Sequence, residues 1–117
     1  MKQAIALMHK DLGENLRELL IFRGFELKLI NELEDLRAQS IIDDPDLLIL
    51  DESFLSHAQF KTFIDSCLVN TPCIILTYEK PPPDVGLKGL STLGMPFSIE
   101  ELYQVVNKSM YEYPLSA

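Results

Sequence analysis

The stretch Pro45-Asp46-Leu47-Leu48-Ile49-Leu50-Asp51 is the most informative part of this 117-residue chain. A short apolar run between polar residues is typical of a strand that is buried on both faces of a parallel sheet. In an open α/β sheet, ligands and chemistry gather beyond the carboxyl ends of the strands, and this pattern places Asp51 there. Asp51 is therefore a candidate site residue, although an aspartate that merely starts a turn fits the same pattern.

Strand and helix patterns alternate along the rest of the chain, which predicts βαβ units and a parallel sheet. Strand patterns are read from apolar runs or from strict alternation, and helix patterns from apolar residues that recur with a period of 3.6. Besides the quoted stretch, strands are predicted at 4–8, 25–30, 71–77 and just before Met95, and helices at 11–23, 32–40, 58–69 and 99–110.

Two of the predicted helices carry a capping box, in which two side chains satisfy free amides at the helix start. One pairs Asp11 with Glu14, and the other pairs Ser98 with Glu101. The periodicity also turns Ile41 and Ile99 toward the core. Between the last two strands, three prolines in succession at 81–83 exclude a regular helix, so any helix there is reduced to a turn near 85–90 or lost.

Composition restricts the function classes. Ten basic and eighteen acidic side chains give a net charge of −8, which disfavours direct binding to nucleic acid or to an anionic membrane. No stretch approaches the roughly 20 apolar residues of a membrane span, so we expect a cytoplasmic protein. Cys67 and Cys73 have no paired spacing and no nearby histidine, and they are interpreted as small apolar residues.

The order of these elements resembles the receiver domain of bacterial response regulators. In that family the middle strand ends in the phosphoaccepting aspartate, matched by Asp51, and the next strand ends in a hydroxyl residue, matched by Thr77. The resemblance covers nearly the whole chain and is strong at 45–51, 72–77 and 96–102. It implies a three-layer, doubly wound α/β fold with a five-stranded parallel sheet, flavodoxin-like or CheY-like, whose fourth helix is shortened or missing. The receiver-like domain is expected at 1–112, with 113–117 as a tail or the start of a linker.

The chain departs from the family at the charged positions. Met95 takes the place of the conserved lysine, and Leu7 and Met8 take the places of the acidic pair that holds Mg²⁺. Thr92 stands where the family has its aromatic switch residue. The resemblance therefore points to a degenerate receiver, or pseudo-receiver, with no catalytic residues, no metal and no cofactor. A smaller and more apolar site is expected around Asp51, because Met8 and Met95 are flexible fillers.

Three function classes stay open at this stage. The favoured one is a two-component type of signalling module that binds a protein partner and is not switched by phosphorylation, either alone or as the amino-terminal domain of a transcription regulator. The second is an active receiver phosphorylated on Asp51, in which Asp11 or Glu52 rebuilds the metal site. The third is a small-molecule-binding or enzymatic flavodoxin-like domain, which is disfavoured because no glycine-rich phosphate loop follows the first strand and because His9 and His57 lack orienting neighbours. A homodimer, if formed, is expected to use a surface other than the usual fourth-helix face.

Overall fold

A computed structural model describes residues 1–56, 58, 59, 62, 71–78 and 90–111. Within them, five parallel strands form one sheet in the order β2-β1-β3-β4-β5, with the helices on its two faces. The elements are β1 (Lys2–Leu7), α1 (Lys10–Ile21), β2 (Phe25–Ile30), α2 (Leu33–Asp43), β3 (Leu47–Asp51), a 3₁₀ turn (Glu52–Phe54), β4 (Cys73–Thr77), β5 (Leu90–Gly94) and α3 (Ile99–Tyr111). The predicted three-layer, doubly wound fold is confirmed.

The strand at the centre of the sheet has the burial that its sequence predicts. All five residues of β3 are buried. Leu48 and Leu50 point into one core cluster with Leu36 of α2, while Leu47 and Ile49 point into the other, beneath α1 and α3. Because both faces are covered, every position of β3 must be apolar or have its polar atoms satisfied within the protein. Asp51 is the one polar residue of this strand, so its carboxylate oxygens must be hydrogen-bonded within the protein.

Helix α1 begins differently from the prediction. It starts at Lys10 with His9 as the cap residue, and no side chain caps it, so the capping box of Asp11 and Glu14 is wrong. Asp11 lies inside the first turn, where its carboxylate cannot reach the amides that a cap residue serves. Glu14 instead accepts a hydrogen bond of 2.6 Å from Arg17. The helix ends as predicted before Gly24, whose φ of 81° is readily adopted only by glycine.

Helix α3 begins as the sequence predicts. The Ser98 hydroxyl accepts from the Glu101 amide at 3.1 Å, and the Glu101 carboxylate accepts from the Ser98 amide at 3.0 Å, which completes the capping box. Leu102 and Val106 are buried against the sheet. Ile99, in the first turn of α3, and Ile41, in the last turn of α2, were predicted to face the core and are exposed instead.

Some predictions fall outside the described residues. They concern most of the helix at 58–69, the turn near 85–90, Cys67, His57 and the tail at 113–117. Within the described part of the chain, no helix is long and apolar enough to cross a membrane.

The core position of Leu48 gives a direct test of the fold. Leu48 is 1% exposed, so Leu48→Ala is expected to lower the free energy of unfolding by roughly 2 to 5 kcal/mol through lost burial and a cavity. Ile99→Ala removes an aliphatic side chain that is 53% exposed, and it should change that free energy by no more than about 0.5 kcal/mol. Urea denaturation measures both; similar losses in the two variants would contradict the assigned core.

Candidate functional site

The candidate site lies at the carboxyl edge of the sheet, where β1, β3 and β4 end side by side. Asp51 pairs in register with Leu76, and Thr77 pairs with Gly94 of β5. Asp51 and Thr77 are each only 1% exposed. The structure therefore brings the two predicted polar residues to the same edge of the sheet, and it buries both of them.

The carboxylate of Asp51 accepts hydrogen bonds on both of its oxygens. Its Oδ1 accepts from the Ser53 amide at 3.0 Å and from the Ser53 hydroxyl at 2.8 Å. Its Oδ2 accepts from the hydroxyl of Tyr78 at 3.3 Å. The first contact caps the 3₁₀ turn that follows β3. A carboxylate removed from water requires such donors, because an unsatisfied buried charge is strongly destabilising.

Tyr78 is the site residue that sequence reasoning missed. Its amide donates to the Glu52 carboxylate at 3.0 Å while its hydroxyl donates to Asp51. Through these two bonds Tyr78 connects the end of β4 to the residues that follow β3. The available signal was its position directly after Thr77, since an aromatic hydroxyl at the carboxyl edge of a parallel sheet can reach the end of the neighbouring strand.

The surroundings of Tyr78 keep its hydroxyl protonated. Desolvation of the phenol raises the pKa of Tyr78 above its ordinary value of 10.0, and the negative charge of Asp51 and the hydrogen bond to it raise that pKa further. Ser53 acts in the opposite direction, and Glu52 adds a smaller increase. Tyr78 therefore remains a hydrogen-bond donor to Asp51 throughout the physiological pH range.

The residues at the end of β1 give the site an apolar wall. Leu7 is fully buried in the core cluster on the α2 side, and Met8, 2% exposed, lies in the cluster on the α1 side. His9 is exposed, and its ring contacts that of Phe54 edge-on with 4.7 Å between centroids. Leu7, which pairs with Leu50 of β3, and Met8, the next residue, therefore contribute packing and no charge.

The acidic residues considered for a rebuilt metal site do not converge on Asp51. Asp11 is exposed on the first turn of α1. Glu52 is half-buried, and one of its carboxylate oxygens accepts from the Tyr78 amide. Among the residues that the structure describes, there is no group of three or more His, Cys, Asp or Glu side chains that could hold a metal ion.

Met95 and Thr92 complete the description of the edge. Met95 is half-buried and packs against the core cluster that contains Met8. Its amide donates to the Thr77 carbonyl at 2.7 Å, and its bond to Pro96 is cis. Thr92 lies within β5 opposite Ile75 and is half-buried.

The hydrogen bonds to Asp51 in the described part of the chain come from neutral groups, with no lysine or arginine among the donors.

These contacts lead to a prediction for the stability of Asp51→Asn. The asparagine carbonyl can accept both bonds from Ser53, and its amide can donate to the Tyr78 oxygen, so the shape of the network is kept. Weaker hydrogen bonds are offset by relief of repulsion in a domain of net charge −8. We expect the free energy of unfolding to change by less than about 1 kcal/mol.

Asp51→Ala provides the matched comparison in the same urea denaturation measurement. It leaves the Ser53 and Tyr78 donors without their acceptor, and it should cost roughly 2 kcal/mol or more. A loss above about 3 kcal/mol for Asp51→Asn would show that the charge itself holds the site together.

No protein-family profile matches the chain, and no curated protein matches it significantly. Solved structures do. The chemotaxis response regulator CheY4 of Vibrio cholerae superposes with a TM-score of 0.76 at 18% identity, over 93% of this chain and 98% of that one. A response regulator receiver domain protein of Bacillus halodurans gives 0.71 at 19% identity, over 92% and 94%.

A third structure is the N-terminal domain of the nisin resistance regulator NsrR, described as a lantibiotic response regulator. It gives a TM-score of 0.74 at 15% identity, over 94% of this chain and 98% of that domain. At these identities the similarity shows the fold alone. The chain has the fold of a response regulator receiver domain.

Proposed function

We propose that this protein is a regulatory module of the two-component type that works by binding a protein partner and does not depend on phosphorylation of Asp51. The observation that carries the proposal is the state of the Asp51 carboxylate, which is 1% exposed and has both oxygens hydrogen-bonded to Ser53 and Tyr78. In this proposal Asp51 and Thr77 are the positional equivalents of the phosphoacceptor and the hydroxyl switch.

The chemistry of phosphoryl transfer supports this interpretation. The attacking oxygen must line up with phosphorus, and the charge on the transferred group must be neutralised by a metal ion and by cationic side chains. Here the Tyr78 hydroxyl lies against Oδ2, and Leu7 and Met8 fill the positions where the family places metal-binding acids. Met95, at the position of the family's lysine, has no charge to offer.

The expected partner is a protein. The net charge of −8 opposes contact with a nucleic acid backbone, so any effect on transcription would pass through a separate output domain. The module can act alone or as the amino-terminal domain of a transcription regulator, and the N-terminal domain of NsrR is one solved example with this fold. The proposal places the protein in the cytoplasm, where the partners of two-component receivers are found.

Incubation with acetyl phosphate and Mg²⁺ tests the proposal. Intact-mass spectrometry should show no hydroxylamine-sensitive gain of a phosphoryl group, because the nucleophilic oxygens are buried and the described residues bring no neutralising charge to them. Tyr78→Phe removes the hydroxyl that lies against Oδ2, and it should also stay unmodified because Leu7, Met8 and Met95 still supply no charge.

A stoichiometric phosphoryl gain in the wild type that Asp51→Asn abolishes would overturn the proposal and support an active receiver instead. A gain confined to Tyr78→Phe would contradict the argument from missing charge and would leave the Tyr78 hydroxyl as the sole block.

A further inference from the structure

Large exposed apolar side chains concentrate at the end of the sheet opposite Asp51. Strands β1, β2 and β3 begin there, and helices α1 and α2, which run antiparallel to the strands, end there. Of the seven large apolar residues that are exposed in the described part of the chain, five lie at this end. They are Met1, Ile21, Phe22, Ile41 and Ile42, with exposures of 74%, 53%, 81%, 83% and 72%.

One half of this end carries the two basic residues Lys2 and Arg23, with the exposed Glu26 beside them accepting from the Gln3 side-chain amide at 3.5 Å. Lys2, Phe22, Arg23 and Phe25 line part of a cavity of about 230 Å³ between the end of α1 and the last turns of α3. The Arg23 guanidinium lies 4.1 Å from the centroid of the Tyr103 ring and forms no ion pair within the described residues. The Lys2 ammonium lies 5.9 Å from the Phe25 ring.

The other half is acidic. Asp44 and Asp46 are exposed and follow the end of α2, next to Ile41 and Ile42. Asp46 is fixed beside β1 because its amide donates to the Gln3 carbonyl at 2.8 Å and its carboxylate accepts from the Gln3 amide at 2.8 Å.

The two halves lie on either side of the start of β1. The Lys2 amide donates to the Gly24 carbonyl at 2.9 Å, directly after Arg23, while Gln3 bonds to Asp46 on the other side. An exposed apolar surface that carries opposite charges on its two halves is complementary to itself under a two-fold rotation. A purely acidic partner would suit the basic half and would be repelled by Asp44 and Asp46.

We propose that this surface, which we call the end face and define as Phe22 and Arg23 on one side and Ile41, Ile42 and Asp44 on the other, joins two copies of this chain in a two-fold dimer. Each Arg23 then faces Asp44 of the partner subunit, and the apolar side chains between them lose contact with water. Two molecules of net charge −8 repel each other at long range, so a dimer requires a local surface that combines apolar area with opposite charges.

The size of the domain is sufficient for such an interface. It measures 33 × 32 × 30 Å along its principal axes, so one end can supply roughly the 800 Å² per partner that standard interfaces bury. The proposed surface lies away from Asp51 and is independent of the chemistry at that site. It also differs from the face formed by the fourth helix and last strand of receivers.

Sedimentation equilibrium of the full chain over micromolar to millimolar concentrations tests the proposal. The wild type should dimerise, and Phe22→Ser should raise the dimer dissociation constant by about tenfold or more through loss of an apolar contact. Arg23→Glu and Asp44→Lys should each weaken the dimer by a similar factor, while the double variant Arg23→Glu/Asp44→Lys should return to within about threefold of the wild type, because the swapped charges again face each other.

Two controls keep the result specific. Ile99→Ser alters an apolar side chain that is 53% exposed at the opposite end, and it should leave the dissociation constant unchanged. Asp44 has a φ of 45°, which asparagine adopts more readily than lysine, so Asp44→Asn removes the charge without added backbone strain and should also weaken the dimer. A wild type that stays monomeric, or a dimer that Phe22→Ser and Arg23→Glu do not weaken, overturns the proposal.

Discussion

The burial of one carboxylate at the end of the central strand constrains the whole carboxyl edge of the sheet. Asp51 lies in a strand that is covered on both faces, so its charge cannot be solvated by water and must be satisfied by protein donors. Ser53 supplies two of them from the turn that follows β3, and Tyr78 supplies the third from the end of β4. Because Glu52 also binds the Tyr78 amide, the ends of two neighbouring strands are tied together around the carboxylate.

In the described part of the chain, the donors to the Asp51 carboxylate are neutral groups, with no lysine or arginine among them. Neutral donors stabilise the carboxylate through short-range hydrogen bonds and bring no positive charge. Leu7 and Met8 extend the two core clusters to the end of β1, and Met95 adds an apolar contact from the end of β5. The edge thus combines the backbone arrangement of a receiver domain with side chains that are mostly buried and apolar, and this combination is the basis of the proposed function.

The sequence was sufficient to predict those elements whose burial pattern or hydrogen bonds involve residues close together in the chain. The apolar runs of β3 and β4 and the Ser98–Glu101 capping box were predicted correctly because each depends on residues that are close in sequence. Asp11 failed as a cap because the cap residue is His9, two residues earlier, and spacing does not fix such boundaries. Ile41 and Ile99 were misplaced because periodicity gives the face of a helix and does not show where the sheet beneath it ends.

Tyr78 could not have been assigned from spacing alone. Its bond to Asp51 joins residues that are 27 positions apart, and it depends on the pairing of β3 with β4 and on the direction in which the chain leaves β4. The strand patterns placed Asp51 and Thr77 at the carboxyl edge of the sheet, where the structure has them, while the roles assigned to these residues stay predictions.

The central claim is that the hydrogen-bonded Asp51 site leaves no place for a metal-bound phosphoryl group. Its most direct test is ¹⁹F nuclear magnetic resonance with Mg²⁺ and beryllofluoride, an anionic mimic of the phosphoryl group that binds to an aspartate carboxylate. The ¹⁹F spectrum is expected to contain only signals of free fluoride species. The amide chemical shifts of Asp51, Thr77 and Met95 are expected to stay unchanged up to millimolar Mg²⁺. A saturable bound ¹⁹F signal that requires Mg²⁺ and disappears in Asp51→Asn would contradict it.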